Sequence, residues 1–295
     1  MPTPHLPTLD KEACTVQLNA AEQKIVRKRF LSRFKVAPSE VPHEDLELYA
    51  AMAARLYKRQ LPSLAQRIEQ VCTDHENRHV APLVIRGTKL GYATVNAVTS
   101  DAKDFTDDDI RDYGMRDRYD SEVLRKHADR LKTPDSAREA HHILGLAILS
   151  LLGVKFSHMY ANADTATKHT EITVEQHNHQ EYYSVVVGLG NASGVNTHIY
   201  GYVGEDGHSP VYEGAAPALS TEVKRGTILI IPPYLEHHID ETDSESFGKR
   251  RKRRVRQTFA YMASSNAPCQ TFSDAELDEA EKRFLSPDKH QTQER

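Results

Sequence analysis

Apolar positions recur with two different periods along this chain, and the change of period falls near Gly153. Before it, Leu46, Tyr49, Ala50, Ala53 and Leu56 lie at helical spacing, which predicts a helix over residues 44–59, and Pro62 opens another through Val71. Asn19 and Glu22 form a capping-box pair, so a helix is expected from Ala20 to about Phe34. Residues 81–87 (APLVIRG) read as a short buried strand closed by glycine, and residues 136–152 as an apolar helix that ends at Gly153 and backs a sheet. Beyond Gly153, residues 181–187 (EYYSVVV), 196–203 (NTHIYGYV), 227–231 (TILII) and 255–262 (VRQTFAYM) are β-branched and aromatic, with glycine-rich turns between them. Ser273 and Glu276 form a second capping box, which starts a last helix ending near Phe284.

Helices first and short strands second predict an α+β fold in which an all-β barrel or sandwich is buttressed by helices from the N-terminal half. The expected organisation is a helical region over 1–80, a core over 81–272 containing helix 136–152, and a C-terminal helix and tail over 273–295. The polar, acidic stretch 100–132 reads as a loop with an exposed helix, a candidate lid.

Composition narrows the class. With 39% hydrophobic and 27% charged residues, and no apolar run approaching a span of ~18 residues, a globular protein with no membrane partner is expected. The first residues, MPTPHLPTLDKEAC, show neither the basic nor the apolar segment of a signal peptide, and the three cysteines form no C-x-x-C pair. A cytoplasmic location follows as the expectation. The net charge of −4 gives no overall attraction to nucleic acid. The basic run 249–254 is a candidate nucleic-acid patch, but the acidic stretch 240–245 balances it and no aromatic residue interleaves with it.

Histidine is over-represented, at sixteen residues, while tryptophan is absent. Two stretches of the β region concentrate metal-binding side chains. His169-Thr170-Glu171 is an H-x-E triplet, and residues i and i+2 of a strand share a face, so both side chains can reach one ion. The second stretch runs from Gly226 through Pro232-Pro233 to His237-His238. Two imidazoles and one carboxylate on one face of an octahedral ion leave positions open, the geometry of non-haem Fe(II) oxygenases. A 2-oxo acid chelating such an ion needs a fixed cation for its other carboxylate, and Arg256, on the following strand, is suitably placed.

Taken in order, these residues resemble the clavaminate synthase and taurine dioxygenase branch of the Fe(II)/2-oxoglutarate oxygenases. The resemblance rests on the apolar strand ending in Arg86-Gly87, the helix before Gly153, the His169-x-Glu171 triplet, Thr197, the Gly226-led strand before His238, and Arg256. It covers most of residues 80–263. The resemblance implies a double-stranded β-helix, a jelly-roll or cupin-like core. It implies Fe(II) held by His169, Glu171 and His238, with 2-oxoglutarate bound by Arg256 and Thr197. The implied reaction is O2-dependent oxidation of a small polar substrate such as an amino acid, with succinate and CO2 as co-products. The chain departs from the pattern at Pro232-Pro233, in the insert 240–253 and in the flanks of the triplet.

Alternatives stay open at this level. A cupin count, G-x5-P-x-G-x2-H, selects His237 instead of His238 and puts Tyr234 where glycine is wanted, and alternation lets only one of the two histidines face inward. A rival cluster, His177-Asn178-His179-Gln180-Glu181, would serve with His237 in a cupin-type metalloenzyme that uses no 2-oxoglutarate. Arg254 competes with Arg256 as the carboxylate ligand. A metal-free binding protein on the same core is the third possibility.

Overall fold

The computed structural model describes residues 9–30, 33–73, 81–88, 135–166, 174–178, 182–188, 195–201, 215–224, 226–241 and 254–286. Among the described residues, ten strands form two sheets. The larger contains β1 (Thr15–Gln17), β2 (Leu83–Arg86), β3 (Val154–Ala166), β5 (Tyr182–Gly188), β8 (Thr227–Ile231) and β10 (Arg254–Pro268), in the order β1-β2-β8-β5-β10-β3. The smaller contains β4 (Val174–His177), β6 (Val195–Ile199), β7 (Leu219–Glu222) and β9 (His237–Glu241), in the order β4-β9-β6-β7. From β3 onward the chain alternates between sheets at nearly every strand, and every pairing except β1 with β2 is antiparallel.

Strands β2, β5 and β8 of the larger sheet are apolar on both faces, and this explains why they read as continuous apolar runs. Leu83, Ile85, Tyr183, Val185, Val187, Ile228 and Ile230 join the helices in one buried cluster. The alternate residues Val84, Val186, Leu229 and Ile231 join Ile199, Leu219 and Leu235 in a second, so the two sheets pack face to face. Each fully buried branched side chain here contributes roughly 1.5–3 kcal/mol of transfer free energy.

The helical layer is formed by α1 (Ala20–Lys24), α2 (Leu46–Gln60), α3 (Pro62–Thr73), α4 (Asp135–Leu151) and α5 (Asp274–Phe284). The capping box at Asn19 forms as expected, but after five residues α1 passes into a π-helical segment, Ile25–Phe30, in place of a straight helix to Phe34. Gly153, at φ +69°, closes α4 in the left-handed conformation that an L side chain adopts only with strain. Phe30, Phe34, Tyr49, Tyr57 and Phe284 form a chain of edge-to-face and tilted ring contacts, tying α5 to the N-terminal region. Arg55 pairs with Asp278, and Arg59 with Glu281, across the same contact.

Strands β1, β3 and β7 are among those not anticipated from the pattern. β1 is three residues long, β7 (LSTE) is half polar, and β3 lacks the β-branched density of its neighbours. Each is specified by pairing with an adjacent strand more than by its own composition.

Candidate metal centre

The smaller sheet carries two histidine pairs, one on each face. Register decides which residue takes part in which. In β6 and β9, Ile199 pairs with His237, His198 with His238, and Thr197 with Ile239. Ile199, Thr197, Ile239 and His237 are all buried, and Ile199 belongs to the inter-sheet cluster, so this row faces the larger sheet. His198 and His238 then occupy the opposite face.

On the inner face, His237 is 4% exposed and stands opposite His177, the last residue of β4. Their ring centroids are 4.3 Å apart and their planes tilt by 56°. The pairing depends on a bulge: Val174 faces Ile239 and His177 faces His237, so three steps along β4 match two along β9. Without that extra residue, regular alternation would place Gln176 opposite His237. The imidazole Nδ1 of His237 lies 3.2 Å from the Leu235 carbonyl oxygen. With Nδ1–H donating to that carbonyl, Nε2 is the lone-pair nitrogen, the arrangement that prepares a histidine to bind a metal.

The chain is turned toward this position by Pro232-Pro233-Tyr234. Tyr234 has φ +64°, the only positive φ at a non-glycine residue among those described. It occupies the place where the cupin count wants glycine, and Gly226, which opens that count, has φ +82°. A left-handed tyrosine costs on the order of 1–2 kcal/mol, so the surrounding packing must hold it there.

On the outer face, the rings of His198 and His238 stack at 4.7 Å with 19° between planes. Tyr200 places its hydroxyl 2.8 Å from His238 Nδ1, and His198 Nδ1 lies 2.7 Å from Ser220 Oγ. Ring nitrogens hold their lone pairs in the ring plane. Near-parallel stacked rings aim them side by side, so they do not converge on one ion, whereas the tilted inner pair has planes that intersect.

The residues singled out from the sequence are distributed as follows. His169 and Glu171, like His179 and Glu181, lie outside the described residues. His238, preferred over His237 in the sequence pattern, is on the outer face, and it is His237 that faces the larger sheet. Thr197 is on the inner face, 3% exposed, paired with Thr221. Arg256 is in β10, paired with Asp164, and Arg254 pairs with Ala166. The basic run up to residue 253 is outside the described residues. Among the described residues no group of three or more His, Cys, Asp and Glu is placed to hold a metal ion.

Ser184 and Arg86 are among the inward-facing polar groups that escaped sequence reasoning. Ser184, between the apolar Tyr183 and Val185, shares the face of Val186; it is fully buried, and its Oγ has no hydrogen-bond partner. An unsatisfied buried hydroxyl costs about 1–3 kcal/mol, which a bound polar ligand or water relieves. Arg86 shares the face of Val84 and donates from Nη2 to Thr221 Oγ1 at 2.8 Å.

Comparison with known proteins adds descriptions of distant likenesses. No protein-family model matches the chain, and no curated protein matches it. Among solved structures, E. coli ycfD matches over 48% of this chain at 12% identity, with a TM-score of 0.29. The chain spans 33% of the length of that protein. A Pseudomonas putida prolyl-4-hydroxylase matches at 13% identity, over 66% of this chain and 93% of that one, with a TM-score of 0.36. The non-haem α-ketoglutarate-dependent epimerase SnoN from nogalamycin biosynthesis matches at 11% identity, over 68% and 81%, with a TM-score of 0.40. Likeness at this level carries no functional argument, and the reading below stands on strand order and side-chain geometry.

Proposed function

We propose that the chain is a non-haem Fe(II)- and 2-oxoglutarate-dependent oxygenase on a double-stranded β-helix, oxidising a C–H bond of a small polar substrate. The observation that carries this reading is the tilted His177–His237 pair on the inner face of the smaller sheet. Strand order supports the fold: from β3 to β10, eight successive strands form sheets ordered β8-β5-β10-β3 and β4-β9-β6-β7, the arrangement of a jelly roll. In this proposal His177 and His237 hold the metal, and the run His177-Asn-His179-Gln-Glu181 supplies the remaining donor. This reading takes His177 and His237 in place of the set His169, Glu171 and His238 that the resemblance implies, and the β6–β9 register, which puts His237 in the buried row with Ile199 and Thr197, supports that choice.

The donor chemistry fits. Two neutral imidazoles suit a first-row divalent ion, and His237 has its Nδ1 engaged by a backbone carbonyl. When bound, Fe(II) with 2-oxoglutarate and O2 supplies the oxidising chemistry, and succinate and CO2 are the co-products. The chain's own part is positioning and exclusion of water. Leu235 holds the His237 ring, the bulge aims His177, and Val186, Leu229, Ile231 and Ile199 form dry walls. Thr197 and Arg256 are proposed contacts of the cosubstrate, and Ser184 Oγ is a further donor facing the same space.

A second reading is a cupin-type metalloenzyme that uses the same histidines without 2-oxoglutarate, favoured by the left-handed Tyr234 in the glycine slot of the cupin count. One experiment separates them. Anaerobic addition of Fe(II) and 2-oxoglutarate to the full chain is expected to produce a weak visible charge-transfer band that is lost in His177→Ala and kept in His169→Ala. Metal uptake without a band supports the cupin-type reading. Loss in His169→Ala with retention in His177→Ala restores the ligand set that the sequence resemblance implies.

A further inference from the structure

We propose that Gln176 and Glu236 are positioning residues, whose hydrogen bond across the outer face of the smaller sheet selects the bulged register that brings His177 to His237. The inference deepens the metal reading and rests on it only for what the two imidazoles hold. Gln176 Nε2 donates to Glu236 Oε2, and each residue immediately precedes one histidine of the inner pair.

The bulge sets residues 175 and 176 together against His238, so Gln176 takes the face of His238, where alternation also puts Glu236. The competing arrangement is an unbulged β4. It keeps Val174 paired with Ile239, places Gln176 opposite His237 and turns His177 to the outer face, opposite Glu236. Because the Val174–Ile239 pairing is common to both, that end of the ladder does not choose between them. Backbone pairing does not favour the bulge either, since an extra residue interrupts it. Only the bulged arrangement allows the amide–carboxylate bond, because without the bulge Gln176 and Glu236 lie on opposite faces.

Glu236 is itself held from the other side. The Tyr200 N–H donates to its carbonyl oxygen at 2.8 Å, tying it to β6, and Leu235, whose carbonyl meets His237 Nδ1, precedes it. The carboxylate therefore reaches from an anchored backbone to β4, a strand of four residues at one end of the smaller sheet. Hydrogen bonds to an ionised carboxylate are stronger than those between neutral groups. With Gln176 exposed and Glu236 half-buried the bond is modest, yet two registers of so short a strand differ by little, and a small bias then sets their populations.

Exchanging the partners tests this. Gln176→Glu sets two carboxylates against each other, and combining it with Glu236→Gln restores the bond with donor and acceptor reversed. The first readout needs no metal. In the metal-free full chain with labelled histidine, the imidazoles of His177 and His237, with centroids 4.3 Å apart, are expected to give a nuclear Overhauser cross-peak. Gln176→Glu should lose it and the double exchange recover it, while the His198–His238 cross-peak persists as the sign of a folded sheet. Co(II) affinity should follow, about 3–10-fold weaker in Gln176→Glu and within about twofold of wild type in the double exchange. If the cross-peak follows the series and neither wild type nor variant binds Co(II), the positioning role stands and the metal reading fails. Should Gln176→Glu not fold, Gln176→Leu takes its place with the same expected loss. An absent wild-type cross-peak, one retained in the folded single variant, no recovery in the double exchange, or equal Co(II) affinity across a series that binds it, overturns the proposal.

Discussion

His237 and His238 are adjacent in sequence, yet they belong to different chemical environments. His237 meets His177 in the buried space between sheets, with its Nδ1 committed to a backbone carbonyl. His238 stacks on His198 and shares a hydrogen bond with the Tyr200 hydroxyl on the far face. The two pairs share residue type, strand β9 and near-equal separation. What differs is the angle between rings and the partner of Nδ1, and those two features decide which pair is prepared to share an ion.

The largest expected effect separates the pairs directly. His177→Ala and His237→Ala should weaken Co(II) binding by more than the roughly 10–100-fold typical of losing a group that only hydrogen-bonds to a metal ligand, with His198→Ala and His238→Ala close to wild type in the same titration. Equal losses in all four would remove the distinction between faces.

Next in size is the turn that sets the register. Tyr234→Val places a β-branched side chain at φ +64° and should lower unfolding free energy by about 1–2 kcal/mol in urea melts, while Tyr234→Gly stays within about 1 kcal/mol of wild type. If valine is tolerated as well as glycine, the turn does not impose the register.

Tyr200→Phe removes the hydroxyl bound to His238 Nδ1 and should cost about 1 kcal/mol without altering Co(II) affinity. A change in metal affinity would show that the outer face communicates with the inner one.

The smallest effect lies far from both pairs, at the α5 cap, and serves as a control. Glu276 accepts hydrogen bonds from the Ser273 side chain and backbone, which lower its pKa below the ordinary glutamate value. A carboxylate with a depressed folded pKa adds stability above its unfolded pKa, and this is lost as pH falls through the folded value. The stability difference between wild type and Ser273→Ala should therefore shrink between neutral pH and about pH 3, with metal binding unaffected throughout.

Much of the architecture was readable from local pattern. The capping boxes at Asn19 and Ser273, the helices at 46–60, 62–73, 135–151 and 274–284, and the strands at 83–86, 182–188 and 227–231 fall close to where periodicity and turn residues predict them. The candidate site was only partly readable. Glycine-led counting from Gly226 supported either histidine, because the turn residues were unlike both patterns. Tyr234 stands in the glycine slot of the count that leads to His237, a mismatch to pattern matching, yet its backbone adopts the left-handed conformation that glycine would take there.

His177 entered the sequence reading through the rival cupin-type cluster, with His237 as its partner, and not through strand alternation. A strand's side chains alternate, so a reader counting from Val174 places Gln176, not His177, on the same face. The β4 bulge reverses that count, and nothing in the local sequence VEQH announces it. Arg86 was legible as the end of an apolar strand but not as an inward cation, since its hydrogen-bond partner is 135 positions away.

The sequence by itself determined the helices, most strands and the wealth of imidazole in the β region, because propensity, periodicity and capping act over a few residues. Only the tertiary structure decided which imidazoles meet, since one bulge and one left-handed residue set the register between strands about 60 positions apart, and each one-residue slip exchanges the two faces.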